Sequence, residues 1–214
     1  DSIKHPIDRH NRAELRGKAA SKQDITVADN AVKHIFVGQP SYPPHFCGDD
    51  IDWTSSPVPD REWVWQLNRM AFWGAMGRAY WHTGDEKYAR AWGTQLTDWI
   101  AKNPVDGKRR YRYAWRPIEA GIRGHSWTGH FQYFIDSPSV TPDVLVAFLN
   151  SCYDHADFLM DHYTKGSNWA LMEAEGLAFI ALTFPEFKDA RKWRDEAFSR
   201  FSKEIVGQVY ADGH

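Results

Sequence analysis

The stretch 169–182 constrains the fold of this chain more than any other, because almost every residue in it is apolar and only two glutamates interrupt it. A helix that is apolar around its whole circumference is normally buried among other helices. The stretch therefore predicts a buried helix that begins near Asn168 and ends near Thr183. A chain that has to bury such a helix needs several further helices around it.

The residues just before this stretch allow two interpretations. Gly166 permits a tight turn, and Ser167 or Asn168 can cap the helix N-terminus. Free backbone N–H groups at the positive end of a helix also favour a carboxylate, and an amide side chain there can add a hydrogen bond to it. From the residues alone, Asn168 is therefore either a structural cap or part of a carboxylate-binding site.

Further helices are predicted along the rest of the chain, separated by short breaks. We expect them at about 12–21, 27–36, 61–82, 85–103, 117–135, 142–163 and 185–208. Gly84 is typical of a glycine C-cap, and Pro117 and Pro142 are typical of first helical positions. One apolar stripe at helical spacing is formed by Tyr88, Trp92, Leu96 and Trp99. Because no strand-like alternation persists, we predict an all-α fold of successive antiparallel hairpins.

Composition divides the chain into three segments. Residues 1–36 are a polar, helical N-terminal segment. Residues 37–60 contain five prolines, whose spacing breaks helices, so this segment is expected to be irregular. Residues 61–214 form the helical-hairpin part. Because the chain stops at His214, directly after a turn signal, we expect this part to be truncated at its C-terminus.

Charge and hydropathy exclude some classes of partner. The formal net charge of −2 gives no general attraction to nucleic acid or to a membrane surface. No apolar run reaches transmembrane length and the first residues are not a signal peptide, so we expect a cytoplasmic protein or a processed secreted one. Aromatic residues make up 15% of the chain, with eleven tryptophans. This excess predicts a thick core and surfaces for flat ligands such as sugar rings.

The two cysteines do not form a disulfide framework. Cys47 and Cys152 are compatible with one bridge or with two independent thiols. No spacing typical of metal ligands is present, so we expect no metal and no cofactor from this chain. Nucleophile elbows, phosphate loops and zinc helices are also missing from the sequence.

A stripe of charged and aromatic side chains runs along the predicted helix 117–135. Its members recur at spacings of three and four residues and so share one face; they are Arg116, Glu119, Arg123, Trp127 and His130. A groove for an anionic sugar would use arginine for carboxylate or sulfate and tryptophan for the ring face. The alternative is an internal salt bridge between Glu119 and Arg123 on a solvated face.

Other polar residues carry weaker signals. Asn68, next to Arg69 in a Trp-rich helix, is either part of a buried hydrogen-bonded pair or another groove contact. The basic run 108–112 either binds sulfate or phosphate or is simply solvated. Histidines at 125, 130, 155 and 162 are candidates for acid–base work, or ordinary helical residues.

Six segments occur in an order that is specific as a set. They are Trp-Gln-Leu-Asn-Arg at 65–69, Thr-Gly-Asp-Glu-Lys-Tyr-Ala-Arg at 83–90, Trp-Arg-Pro-Ile-Glu at 115–119, Gly-Ser-Asn at 166–168, Phe-Pro-Glu-Phe-Lys-Asp at 184–189 and Gln-Val-Tyr-Ala-Asp-Gly at 208–213. This ordered set resembles the heparinase II/III group of polysaccharide lyases, and most closely its heparan sulfate lyases of the heparinase III type. The resemblance runs from about residue 30 to the last residue, and the first 30 residues match only loosely.

The resemblance implies an incomplete (α/α) toroid of antiparallel helical hairpins, followed in the family by a β-sandwich domain. It implies β-elimination on heparan sulfate, a uronic-acid-containing glycosaminoglycan, in a periplasmic or secreted bacterial protein. The asparagine that matches Asn168 neutralises the uronate carboxylate in the family, so Asn168 is the expected catalytic residue. We expect the substrate groove to be lined by Asn68, Arg116, Glu119, Arg123 and Trp127.

Two departures from the family pattern matter. Trp169 stands where many members have histidine, so any role of that histidine is absent or reassigned here. The family's catalytic tyrosine follows the turn 211–213 and a catalytic histidine lies further on, beyond His214. The chain thus carries a carboxylate-binding half-site, and its expected partner is the C-terminal part of the same protein. The sequence does not decide whether that part binds a metal ion. We expect little or no activity from this chain alone.

Three alternatives stand beside a heparan sulfate lyase. The chain is compatible with a non-catalytic glycan-binding module, and with a lyase for another uronate polymer such as alginate. A hydrolase with paired carboxylates is the third alternative. Its only obvious helical carboxylates near the expected site are Glu119, Glu173 and Glu175.

Overall fold

The computed structural model describes residues 20–105 and 113–208, which form eight helices and one antiparallel pair of two-residue strands. The predicted all-α class is confirmed in these residues. The predicted helix 12–21, the basic run 108–112 and the turn 211–213 fall wholly or largely outside them. No helix within them is long and apolar enough to cross a membrane. In chain order the elements are α1 (Lys22–Val32), β1 (Ile35–Phe36), β2 (His45–Phe46), α2 (Arg61–Leu67), α3 (Phe72–Thr83), α4 (Glu86–Lys102), α5 (Pro117–Phe134), α6 (Pro142–Asp161), α7 (Asn168–Thr183) and α8 (Ala190–Gln208).

Among the described residues there are two compact units. The first contains residues 20–104 and 129–148, and the second contains residues 105, 113–128 and 149–208. Helix α5 contributes residues to both units. The division at positions 36 and 60 that composition suggested is a different grouping, and it stays a prediction.

Helix α1, in the first unit, begins with a capping box. The Ser21 Oγ accepts a hydrogen bond from the Asp24 backbone N–H at 3.0 Å, and the Asp24 carboxylate accepts one from the Ser21 N–H at 3.0 Å. The helix ends at Val32, so the prediction of a helix through residue 36 is wrong. His34 adopts a left-handed φ of 57°, and Phe36 pairs with His45 across the two strands. Strands of two residues are too short to give an alternating sequence pattern.

The predicted single helix 61–82 is broken into α2 and α3, and Asn68 lies at the break. Its Nδ2 donates to the carbonyls of Val64 and Trp53, at 2.9 Å each, and its Oδ1 accepts from Trp99 Nε1 at 2.9 Å. Met70 then adopts a left-handed φ of 52°. A side chain that binds the backbone of the preceding turn offers the chain an alternative to continuing the helix. The prediction of one continuous helix is therefore corrected.

Aromatic side chains fill the core of the first unit. Trp92 of α4 stacks on Phe134 with ring centroids 4.9 Å apart, and Trp73 Nε1 donates to Gln95 Oε1 at 2.8 Å. Gly84 ends α3 in the predicted left-handed conformation, with φ 71°. The predicted stripe of α4 is wholly buried and consists of Tyr88, Trp92, Leu96 and Trp99.

In the second unit, α5 and α7 approach each other through glycines. A Cβ on Gly121 would overlap the backbone of Met172, and a Cβ on Gly176 would overlap the backbone of Gly121. Gly124 faces Gly176 in the same way. Helix α8 packs along α7. Residues without side chains let two helix backbones approach more closely than ordinary packing distances allow.

Helix α7 is buried on one side only within the described structure. Ala170, Ala174 and Leu177 are fully buried, whereas Phe179 and Leu182 are 42% and 47% exposed. The expectation of a helix buried all round is thus met for its inner face alone. Its outer face leaves large apolar side chains at the surface of the described residues.

Candidate active site

The start of α7 carries the residue that the sequence singles out. Ser167 is the N-cap, because its Oγ accepts a hydrogen bond from the Trp169 N–H at 3.2 Å and donates to the Thr164 carbonyl at 3.1 Å. Asn168 is the first residue of the helix and is exposed. The cap interpretation of Asn168 is therefore not the arrangement observed. Its amide is available to a ligand at the positive end of the helix.

A buried carboxylate closes the turn in front of α7. Glu173 is fully buried and accepts two hydrogen bonds from Thr164, at 2.8 Å from its backbone N and at 2.6 Å from its Oγ1. Gly166 has a left-handed φ of 77°, which L side chains rarely adopt. These contacts fix the backbone that leads into Asn168.

Arg116 lies beside the start of α7. Its guanidinium carbon is 4.7 Å from the ring centroid of Trp169, and its Nη1 is 3.3 Å from an Oε1 of Glu119. The Arg116 side chain is 15% exposed, whereas Glu119 is fully buried. An arginine held between an aromatic face and a carboxylate is fixed in direction. The structure therefore brings Arg116 to the residue that follows Asn168.

The rest of the predicted stripe is buried. Arg123 and Trp127 are 0% and 2% exposed, and the Arg123 guanidinium lies 5.2 Å from the Trp115 ring and 5.8 Å from the Trp127 ring. Burial lowers the pKa of Arg123 to about 9, against the opposing effect of the Glu119 charge. The contact of Arg123 and Trp127 with a substrate groove stays a prediction, and the burial of both side chains does not support it. The face is shared as predicted, but it points inward.

His155 completes this buried cluster. Its Nε2 accepts a hydrogen bond from Arg123 Nε at 2.8 Å, which assigns the proton to Nδ1, 2.6 Å from the Ser151 carbonyl. Burial, followed by the Arg123 charge, holds the pKa of His155 well below its ordinary value. His155 is therefore a neutral structural residue rather than an acid.

Asn68 belongs to the first unit. Its side chain is fully buried and binds Trp53, Val64 and Trp99 as described above. A contact with substrate stays a prediction. Both cysteines are free and buried, one in each unit. Within 20–105 and 113–208, no three His, Cys, Asp or Glu side chains are grouped so that they could hold a metal ion.

Comparison with known sequences decides the family. A sequence model described as Heparinase II/III N-terminus matches residues 4–214. The chain belongs to this heparinase II/III N-terminal family. It is 41% identical over 212 residues to a heparin-sulfate lyase of Pedobacter heparinus, and the match covers 99% of this chain and 30% of that protein. It is 39% identical over 218 residues to a heparin-sulfate lyase of Bacteroides stercoris, covering 93% of this chain and 33% of that protein.

Solved structures of this family share the fold. The heparan sulfate lyase HepC from Pedobacter heparinus superposes with a TM-score of 0.86 at 41% identity, covering 92% of this chain and 31% of that one. A heparinase III structure superposes with a TM-score of 0.86 at 37% identity, covering 98% and 34%. The predicted helical-hairpin class, the kind from which (α/α) toroids are built, is confirmed by these matches. The chain spans about a third of the length of these relatives.

Sequence reasoning missed several residues that this family member places around Asn168. In the sequence, Trp169 is only a departure from the family pattern, and no periodicity marks it as the partner of Arg116. Glu204 and Gln208 of α8 contact the turn before α7, 38 and 41 residues away in sequence. Such long-range partners leave no local signal, because they depend on how α8 packs along α7.

Proposed function

We propose that this chain is the helical N-terminal part of a polysaccharide lyase that cleaves heparan sulfate by β-elimination. The observation that carries the proposal is Asn168, exposed at the first position of α7 while Ser167 serves as the cap. The names of the matched relatives, heparin-sulfate lyases, supply the substrate class. Because that substrate is a large acidic polymer, we place the protein in the periplasm or outside the cell.

The reaction sets three requirements. The uronate carboxylate must be neutralised so that the C5 proton becomes acidic, a base must remove that proton, and an acid must protonate the departing glycosidic oxygen. Asn168 is assigned to the first requirement, because its side-chain amide N–H can bind the carboxylate at the positive end of α7. An N–H donor aimed at developing charge stabilises the enediolate-like transition state.

Arg116 is assigned to the same carboxylate or to a neighbouring sulfate. Its guanidinium is held 4.7 Å over Trp169 and 3.3 Å from Glu119, so little side-chain freedom is lost on binding an anion. Proton transfer is assigned to a tyrosine and a histidine in the remaining part of the protein, as the family resemblance implies.

The hydrolase alternative is not favoured. It needs two carboxylates facing one glycosidic bond from opposite sides. Glu119 is fully buried against Arg116, and Glu173 is fully buried against Thr164. Both carboxylates are engaged within the unit. Of the three candidates this leaves only Glu175, which lies 3.5 Å from His125 Nδ1, and one carboxylate does not make the required pair.

Product chemistry tests the proposal. We expect full-length protein incubated with heparan sulfate to release products with an unsaturated uronyl end, seen by ultraviolet absorbance, and this chain alone to release little or none. We expect Asn168→Ala to reduce the rate about 100-fold or more, and Asn150→Ala, at an exposed asparagine of α6, to leave it unchanged.

Other outcomes would overturn the proposal in distinct ways. Saturated ends would indicate a hydrolase. Binding without any product would indicate a glycan-binding module. Faster release from alginate than from heparan sulfate would move the substrate class to other uronate polymers.

A further inference from the structure

Glu204 of α8 accepts hydrogen bonds from the turn that leads into Asn168. The Gly166 N–H lies 3.1 and 3.2 Å from its two carboxylate oxygens, and the Tyr163 hydroxyl donates to the same group. The Glu204 side chain is only 3% exposed. A buried carboxylate is retained only where hydrogen bonds satisfy its charge. Here the two donors, the Tyr163 hydroxyl and the Gly166 N–H, both lie in the segment before α7.

Gln208 extends this contact by one helical turn. Its Nε2 donates to the Glu204 carboxylate and, at 3.0 Å, to the Ser167 carbonyl. Ser167 is the cap of α7 and the immediate neighbour of Asn168. The backbone that sets the direction of Asn168 is thereby held from α8 at two points, Gly166 and Ser167.

The attachment of α8 to the rest of the second unit does not depend on Glu204. Arg200 donates to the carbonyls of Leu159 at 2.7 Å and Met160 at 3.0 Å, at the C-terminal end of α6. Trp193 is buried and packs edge-on against Tyr153, with ring centroids 4.8 Å apart. Helix α8 therefore has its own anchors, and the contacts of Glu204 are directed at the turn.

The charge state of Glu204 fits this arrangement. The hydrogen bond from Tyr163 is the largest cause that holds the pKa of the Glu204 carboxyl below its ordinary value. Burial, and then the hydrogen bond to Glu204, raise the pKa of Tyr163 to about 12. The group that accepts the turn's N–H is thus an ionised carboxylate across the working pH range of most enzymes.

We propose that Glu204 is a positioning residue for Asn168: it fixes the turn 163–167 so that the Asn168 amide meets the substrate carboxylate. This inference rests on the proposed lyase function. A misplacement of about 1 Å at a group that acts in the transition state can reduce turnover as much as 100-fold. We therefore expect the loss of Glu204 to reduce kcat and to leave KM nearly unchanged.

The experiment uses full-length protein with heparan sulfate. Glu204→Gln keeps the size of the side chain but replaces one acceptor oxygen with an amide NH2 group, which faces the Gly166 N–H and Tyr163 O–H donors. We expect kcat to fall about 10-fold or more and KM to change less than about 2-fold. We also expect faster amide hydrogen exchange in the peptide 163–169. Gln208→Ala, which leaves the carboxylate in place, should shift kcat and exchange in the same direction but by less.

Two further variants separate positioning from general destabilisation. Asp195→Asn, on the exposed side of the same helix, should change neither kcat nor the exchange rate. In an Asn168→Ala background, Glu204→Gln should cause no further loss of kcat, because its effect passes through Asn168.

The results that contradict the inference are distinct from those that contradict the lyase proposal. Unchanged kcat or unchanged exchange in both Glu204→Gln and Gln208→Ala would overturn positioning, as would a further loss in the double variant. Full activity of Asn168→Ala would instead overturn the role given to Asn168.

Discussion

At the scale of the residue, Ser167 caps the start of α7, and Asn168 occupies the first helical position without serving as the cap. Ser167 accepts the hydrogen bond from the Trp169 N–H, so the side-chain amide of Asn168 is not used to cap the start of the helix. The sequence allowed either residue to be the cap, because serine and asparagine are about equally good caps. Only the backbone geometry, with Ser167 extended at φ −126° and ψ 160°, distinguishes them.

We predict that Trp169 supports substrate binding because its ring holds the Arg116 guanidinium in place. Trp169→Ala removes the ring 4.7 Å below the guanidinium, a contact worth about 0.5–1 kcal/mol. We expect KM of the full-length protein for heparan sulfate to rise about 2- to 5-fold, with kcat nearly unchanged. Trp169→Phe retains an aromatic face and should lose less. An unchanged KM in Trp169→Ala would show that the stack does not support binding.

The pair Asp24–Arg78 predicts a pH dependence of stability. Arg78 donates two hydrogen bonds to Asp24, at 2.7 and 3.0 Å. They are the largest cause that lowers the pKa of this carboxyl from 3.8 to about 2, and hydrogen bonds from Ser21 lower it further. A lowered native pKa stabilises the fold above the unfolded-state pKa, and this stabilisation disappears as the pH falls through the native pKa.

We therefore expect Asp24→Asn to cost about 1 kcal/mol near neutral pH, since the pair is partly exposed and screened. The difference from wild type should shrink as the pH approaches about 2. Thermal unfolding at a series of pH values measures it, with the exposed Asp49→Asn as the matched control. A difference that stays constant down to that pH would contradict the assignment.

At the scale of the element, the glycine crossing of α5 and α7 sets the position of the helix that carries Asn168. Gly176→Ala would place a Cβ against the backbone of Gly121, which cannot move as a flexible side chain can. We expect a loss of about 2–3 kcal/mol in the free energy of unfolding.

Gly129→Ala, in α5, is the matched control for this crossing. Nothing lies within 4 Å of its added Cβ, so alanine should stabilise the helix by about 0.5–1 kcal/mol. Chemical unfolding followed by tryptophan fluorescence compares the two variants. Equal effects at positions 129 and 176 would show that the crossing is not close-packed.

Helix boundaries were predictable from the sequence where a local signal exists. Pro117, Pro142 and Gly84 are at the predicted ends of elements. The break at Asn68 was not predictable, because it depends on contacts with Trp53 and Trp99, 15 and 31 residues away. The strand pair was missed because two residues give no periodicity.

The candidate site was predictable only in part. The spacing from Arg116 to Trp127 correctly indicated one shared face, but spacing cannot tell whether that face points to solvent. The face points inward because Arg123 has buried partners there. Its Nε donates a hydrogen bond to His155, and its guanidinium lies over the Trp115 ring. Mixed charges on a helix face are therefore compatible with a buried, satisfied cluster.

At the scale of the whole molecule, the chain is one part of a larger catalytic protein in our account. Nearly all of this chain matches heparin-sulfate lyases, and the match covers about a third of those longer proteins. In the proposed function, the second unit supplies the amide that neutralises the substrate carboxylate, and Ser167, Glu173 and Glu204 hold the backbone around it. Proton transfer is assigned to the remainder of the protein.

The proposed role of Asn168 in neutralising the uronate carboxylate is tested most directly with a substrate whose uronate groups carry no charge before the reaction. Full-length wild type and Asn168→Ala are compared on heparan sulfate and on heparan sulfate whose uronates are methyl esters. We predict a loss of about 100-fold or more on the native polymer and a smaller loss on the ester, because its transition state develops one negative charge at this group rather than two. An equal loss on both substrates, or no loss on the native one, would contradict the account.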